Sequence, residues 1–218
     1  MIVHEITRTE SHPTYAALQA QNLARQYDFL RSMLLASVEL GFAAITHEFI
    51  HALNSQAVGG LHRYAGAYRP KGVEVYITET DHKPAQSSEL LGLMNDFVDT
   101  INREWTATDP FTLSAYSLWR LNSIHPFENG NGRTARAICY YVLCRKIGVW
   151  LPGERTIPDL IKDYHEEYVA ALRIADAAFK ENRIDVKALA EFLIKLFELQ
   201  IKNEAINLID QSPEREGT

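Results

Sequence analysis

The sequence predicts an all-α fold carrying one small β-hairpin, and three observations lead there. Apolar residues recur at three- and four-residue spacing over most of the 218 residues. The strand pattern, apolar alternating with polar, is convincing once, in GVEVYIT at 72–78. Between the periodic stretches stand short cap and turn signals, with no internal repeat or low-complexity linker. With 46% hydrophobic and 23% charged residues, a chain of this length can bury one sizeable core, so a single domain over 1–218 is expected.

Taken in order, Pro13 suits a first helical position, and Leu23, Tyr27, Leu30, Leu34 and Val38 form a stripe, which predicts a helix from Pro13 to about Gly41. A second helix is expected from about Ala43 to Asn54. The Gly-rich polar stretch 55–67 reads as loop. In GVEVYIT, Val73, Val75 and Ile77 alternate with Glu74, Tyr76 and Thr78, one arm of an exposed hairpin ending at the turn-forming DHKP of 81–84. Helical spacing resumes near Ser87 and ends around Trp105. Asp109 and Pro110 are a cap and first-turn pair, opening a helix in which Phe111, Leu113, Ala115, Leu118, Trp119, Leu121 and Ile124 point in nearly every direction. A helix apolar all round is central and buried. Another helix starts near Gly132, with Ala135, Ile138, Cys139, Val142 and Leu143 as its stripe, and two more follow at about Pro158–Ala175 and Asp185–Leu208.

The formal net charge of -6 argues against a nucleic-acid partner, because phosphate binding needs clustered Lys and Arg. MIVHEITRTESHPTYAALQ lacks the apolar core of a signal peptide, and no window is a spanning apolar run, so no membrane association and a cytoplasmic location are expected. Cys139 and Cys144 lie five apart in one predicted helix, which suits neither a disulfide nor a zinc site. Buried reduced thiols are the expectation.

The loop joining the two central helices reads HPFENGNGRTAR, His125 to Arg136. Unpaired amides at the start of the second helix attract an anion, and Gly130 and Gly132 let a phosphate approach the backbone closely. Arg133 and Arg136, three apart, tilt back over the loop and add permanently charged donors, so a polyphosphate fits. His125 stands across the loop, where it can take a proton from an attacking hydroxyl, while Pro126 fixes the chain direction and Phe127 is available to anchor the loop in the core.

HPFENGNGRTAR closely resembles the signature of the Fic (filamentation induced by cyclic AMP) family: His-Pro-Phe, any residue, an acid, Gly-Asn, Gly or Lys, Arg, two more residues, and Arg. FIHALNSQAVGGLHRYAGAYR (49–69), GVEVYIT with HKPA, and PDLIKDYHEEYVAALRIAD are similar to the family's upstream segment, its flap and the helix after the motif, so the resemblance runs from about Phe49 to Leu199. It implies a mainly helical Fic fold with a small β-hairpin flap over the active site. The expected layout is an N-terminal helical extension over about 1–42, a Fic core over about 43–200 and a C-terminal segment over about 203–218. It also implies a protein adenylyltransferase moving AMP from ATP, with Mg2+ or Mn2+, onto a Tyr, Thr or Ser hydroxyl. His125 would be the general base; Gly130, Asn131 and Gly132 the phosphate cradle; Arg133 the holder of the outer phosphates; Arg136 the partner of the γ-phosphate or of an inhibitory glutamate. The target protein would dock as an added strand on Val73, Val75 and Ile77.

One signature position departs: Asn129 stands where the family has the metal-binding acid, and Glu128 falls on the variable position. An amide oxygen ligates a hard cation without charge, so weaker metal affinity is expected, and the alternative is a nucleotide-binding regulatory module with weak or different transfer activity. HEFIH (47–51) has the HExxH form of zinc peptidases, a remote alternative lacking a third ligand, since Ala57 stands where an extended motif needs His. SPEREG (212–217) fits the family's inhibitory formula of Ser or Thr, three residues, Glu, then Gly or Asn. Ser212, Glu216 and Gly217 are then an autoinhibitory segment; otherwise inhibition would fall to a separate antitoxin-like partner.

Overall fold

Asp109 opens the central helix: its Oδ1 accepts from the N–H groups of Phe111 and Thr112, each at 3.0 Å, and Pro110 takes the first helical position. In this computed structural model, which describes residues 1–76 and 83–210 apart from the side chains of 203 and 205–210, nine helices are found among the described residues. They are α1 (Val3–Thr7), α2 (Pro13–Glu39), α3 (His47–Val58), α4 (Leu90–Arg103), α5 (Pro110–Ile124), α6 (Asn131–Ile147), α7 (Ile157–Asp163), α8 (His165–Lys180) and α9 (Lys187–Asp210).

α5 is central, as its all-round apolar surface requires. It packs most extensively on α6, with α9, α4 and α8 around its other sides, while α2 and α3 cover α6 from the far side. Leu118, Trp119, Leu121, Phe97, Ile138 and Leu193 are among the buried side chains at the centre. Buried polar groups on α5 are satisfied: Ser114 and Ser117 donate to the Pro110 and Ser114 carbonyls within the helix, and Trp119 Nε1 donates to Asp176 Oδ1 of α8 at 2.8 Å. Cys139 and Cys144 are buried free thiols on α6, and burial pushes the Cys144 thiol up to about 11.

Several expected boundaries shift for visible reasons. α3 begins at His47 because Thr46 caps it, its Oγ1 accepting from Phe49 N–H at 3.2 Å. The residues before it instead pair with α4, the Ile45 backbone exchanging two 2.8 Å hydrogen bonds with the Asn102 amide. The single helix expected over 158–175 is two, α7 and α8, broken at Tyr164, whose ψ of 37° leaves the helical region. Val38, placed on the inner stripe of α2, is exposed, and that helix turns buried Asn22 and Gln26 inward, donating at 2.9 Å to the carbonyls of Gly59 and Leu53 at the C-terminal end of α3. The expected hairpin is not seen among the described residues. Val73–Tyr76 and Lys83–Gln86 carry no strand ladder, a cavity of about 510 Å³ lies between the two arms, and Ile77 falls outside the described residues. No helix among the described residues is long and apolar enough to cross a membrane.

Candidate active site

The loop between α5 and α6 is shaped from both ends. α5 stops because His125 turns left-handed, φ 53° and ψ 58°, with its N–H still bonded to the Leu121 carbonyl at 3.0 Å. That turn swings the half-buried imidazole across the loop, where Nδ1 lies 3.2 Å from the Asn122 carbonyl oxygen. A carbonyl only accepts, so in the neutral ring the proton sits on Nδ1 and Nε2 bears the lone pair, the tautomer a proton acceptor needs.

Asn131 then closes the loop. Its Oδ1 accepts from Phe127 N–H and its Nδ2 donates to the Phe127 carbonyl, both at 2.9 Å, while the Phe127 ring is fully buried. Of the expected cradle, Asn131 therefore lends its backbone at the helix start and spends its side chain inward. Gly130 is the cap of α6 at φ 78°, and a Cβ there would lie 2.7 Å from Val58 Cγ1. Buried Asn54, on α3, ties the loop down: its Nδ2 donates to the Asn129 carbonyl at 3.0 Å and to Thr134 Oγ1 at 3.2 Å, and its Oδ1 accepts from Gly66 N–H at 2.9 Å.

His125, Asn129, Gly130, Asn131, Gly132, Arg133 and Arg136 line one cavity of about 460 Å³, together with Glu74, Val75 and Tyr76 of the edge segment. Arg133 and Arg136 also line a second cavity of about 430 Å³ between α2, α6 and α7. Val75 thus stands at the site, whereas Val73 lines the space between the two arms. Ser212, Glu216 and Gly217 lie outside the described residues.

Arg133 is turned into the protein more than the sequence suggests. Its guanidinium donates to the Ala57 carbonyl at 2.9 Å and to Asn129 Oδ1 at 2.7 Å, and burial lowers its pKa. The other end of the Asn129 amide donates to Glu10 Oε1 at 3.0 Å. Glu128 lines the same cavity, and its Oε2 accepts from Tyr64 N–H at 3.5 Å. Position 129 does not fit a divalent cation: its one oxygen already serves a guanidinium, and it has no charge of its own.

HEFIH lies at the start of α3, beside Tyr68. His47 Nδ1 is engaged with Tyr68 Oη at 2.7 Å, the His51 ring packs edge-on to Tyr68 with centroids 4.3 Å apart, and among the described residues no group of three His, Cys, Asp or Glu is placed to hold a metal.

Sequence reasoning missed Glu10 and Asn54, and it met Arg69 only as the arginine that ends the segment 49–69. Arg69 is 5% exposed and ties the loop to both arms of the edge segment. Its N–H donates to the Pro126 carbonyl at 2.9 Å, Nε to the His125 carbonyl at 3.1 Å, and the two terminal nitrogens to the Val73 carbonyl at 3.4 Å and to the Ala85 carbonyl.

The Fic/DOC family profile matches residues 44–143. The chain is 34% identical over 104 residues to a protein adenylyltransferase Fic of Nematostella vectensis, the match covering 47% of this chain and 23% of that protein. It is 31% identical over 119 residues to a Fido domain-containing protein of Dictyostelium discoideum, covering 55% of this chain and 76% of that one. The chain therefore spans about a quarter of the Nematostella protein's length. Among solved structures, Fic-1 of Caenorhabditis elegans (residues 134–508) superposes with a TM-score of 0.68 at 22% identity, over 89% of this chain and 52% of that one, which speaks to the fold.

Proposed function

This chain belongs to the Fic/DOC family, and from that premise we propose that it is a protein adenylyltransferase, moving AMP from ATP to a hydroxyl of a target protein or of itself. One observation carries the reading: His125, held in the acceptor tautomer, shares a cavity with the N-terminus of α6 and with Arg136. ATP would lay its phosphates on the backbone N–H groups that open α6, aided by the helix dipole, with Arg136 neutralising the outer phosphates. A Tyr, Thr or Ser hydroxyl oxygen then attacks the α-phosphorus. The new O–P bond forms as the bond to the bridging oxygen of pyrophosphate breaks, and the hydroxyl proton passes to His125 Nε2. Positioning and charge stabilisation do most of this work, and both are built into the loop.

Incubation with ATP labelled at the α- or the γ-phosphorus tests the proposal. Covalent label on protein from the α-position alone is the expected result; none from either, with ATP still bound, leaves the second reading, a nucleotide-binding regulatory module. The commitment of Asn129 to Arg133 and Glu10 favours that second reading.

Position 129 offers Mg2+ only a neutral oxygen that already serves Arg133. ATP affinity in Mg2+ and in EDTA should agree within about threefold for this chain. Asn129→Asp restores a charged oxygen ligand and should open a clear Mg2+ dependence of ATP binding, read by calorimetry. Identical curves for both proteins would show that the loop has no access to the cation.

SPEREG is proposed as a plug of the same site, Glu216 pairing with Arg136 in place of the γ-phosphate. Glu216→Gly, or removal of residues 212–218, should raise AMP incorporation from ATP and leave ADP affinity nearly unchanged. Equal time courses for all three proteins would leave inhibition to a separate partner.

A further inference from the structure

The two arms Val73–Tyr76 and Lys83–Gln86 are not laddered to each other, yet both are attached to the loop that carries His125. One side chain makes both attachments. Arg69, buried in the floor of the cavity between the arms, donates to Val73 on one arm and Ala85 on the other, while its Nε holds the His125 carbonyl and its own N–H holds that of Pro126.

The His125 contact matters because of the backbone there. A left-handed conformation at a residue other than glycine is strained and persists only where the surroundings hold it. The Leu121 bond fixes the N–H side of His125, and Arg69 fixes the carbonyl side. Lysine cannot replace this: a guanidinium presents five donors in a planar fork, whereas one ammonium cannot meet three carbonyls spread over three segments.

We infer that Arg69 is a positioning residue for the transfer step, locking the base and the target-facing edge segment into one rigid unit. The inference rests on the transfer reading above. A target hydroxyl delivered along Val73–Tyr76 then arrives at a fixed place relative to His125 Nε2, without the docking segment having to find its register with the base separately.

Arg69→Met and Arg69→Lys test this, with AMP incorporation from α-labelled ATP, ATP affinity by calorimetry, thermal melting, and the 15N shifts of the His125 ring measured on each protein. Arg69→Met should lose about ten- to a hundredfold in incorporation, the scale of an ångström of misplacement, while ATP affinity stays within about twofold because the phosphate cradle is shaped by Asn131 and Asn54. Its His125 ring nitrogens should move from one tautomer towards a mixture. Arg69→Lys, which keeps the charge if the Met variant folds poorly, should fall between.

Incorporation at the unmodified rate, or a loss that merely tracks ATP affinity and melting temperature, overturns the role. If the unmodified chain incorporates no AMP, the transfer reading fails. The ring-nitrogen shifts then decide on their own: unchanged in Arg69→Met they overturn the positioning role, and altered they support it.

Discussion

His125→Ala is expected to reduce AMP incorporation by about 10²–10⁴-fold, the usual contribution of a general base, while ATP affinity changes less than about twofold. The split follows from where each job is done. The proton acceptor is a side chain at the end of α5, whereas the anion site is the backbone at the start of α6, shaped by the Asn131 clasp on Phe127. Alanine is uncomfortable in the left-handed turn at φ 53°, so His125→Asn is the better-matched control, because asparagine adopts that conformation more readily. Rates from single-turnover labelling and affinities from calorimetry give the two quantities separately. Unimpaired labelling in both variants would sink the mechanism.

Gly130→Ala should do the reverse, damaging the anion site and the fold together. The added Cβ would sit 2.7 Å from Val58 Cγ1 and 3.1 Å from Asn54 Nδ2, at a residue whose φ of 78° already penalises any side chain. Left-handed strain of about 1–2 kcal/mol and overpacking of about 1–3 kcal/mol put the loss near 2–5 kcal/mol. For a chain of this size that is a fall of roughly 4–20 °C in Tm, and ATP binding should drop with it as the loop is pushed off Asn54. Gly132→Ala is the contrast. There the Cβ meets only the far end of Arg136, at 3.2 Å, and φ is ordinary, so melting should be close to that of the parent chain. Equal melting curves for both alanine variants would remove the packing argument.

The helical fold and the α5–loop–α6 site were legible because their signals are local. Asp109 and Pro110 announce α5 within two residues, and the loop's histidine, glycines and arginines fall within twelve. What escaped the sequence is long-range. Asn54 meets Asn129 across 75 residues, Arg69 meets His125 across 56, and Glu10 meets Asn129 across 119, and no periodicity records such pairings. Hydrophobic spacing also misjudged α2, where Asn22 and Gln26 are buried because they donate to carbonyls of the α3 region, while Val38 is left exposed. The alternation in GVEVYIT reads as a strand, but a strand is made by its partner, and the described arms lack that ladder.

Two of the clasps on the loop, Asn131 on Phe127 and Asn54 on Asn129, Thr134 and Gly66, are made by amide side chains. An amide neither gains nor loses a proton between mild acid and mild base, and it offers no net charge for dissolved salt to screen. These two clasps therefore keep their form across changes of acidity and ionic strength that would loosen a carboxylate–lysine clasp.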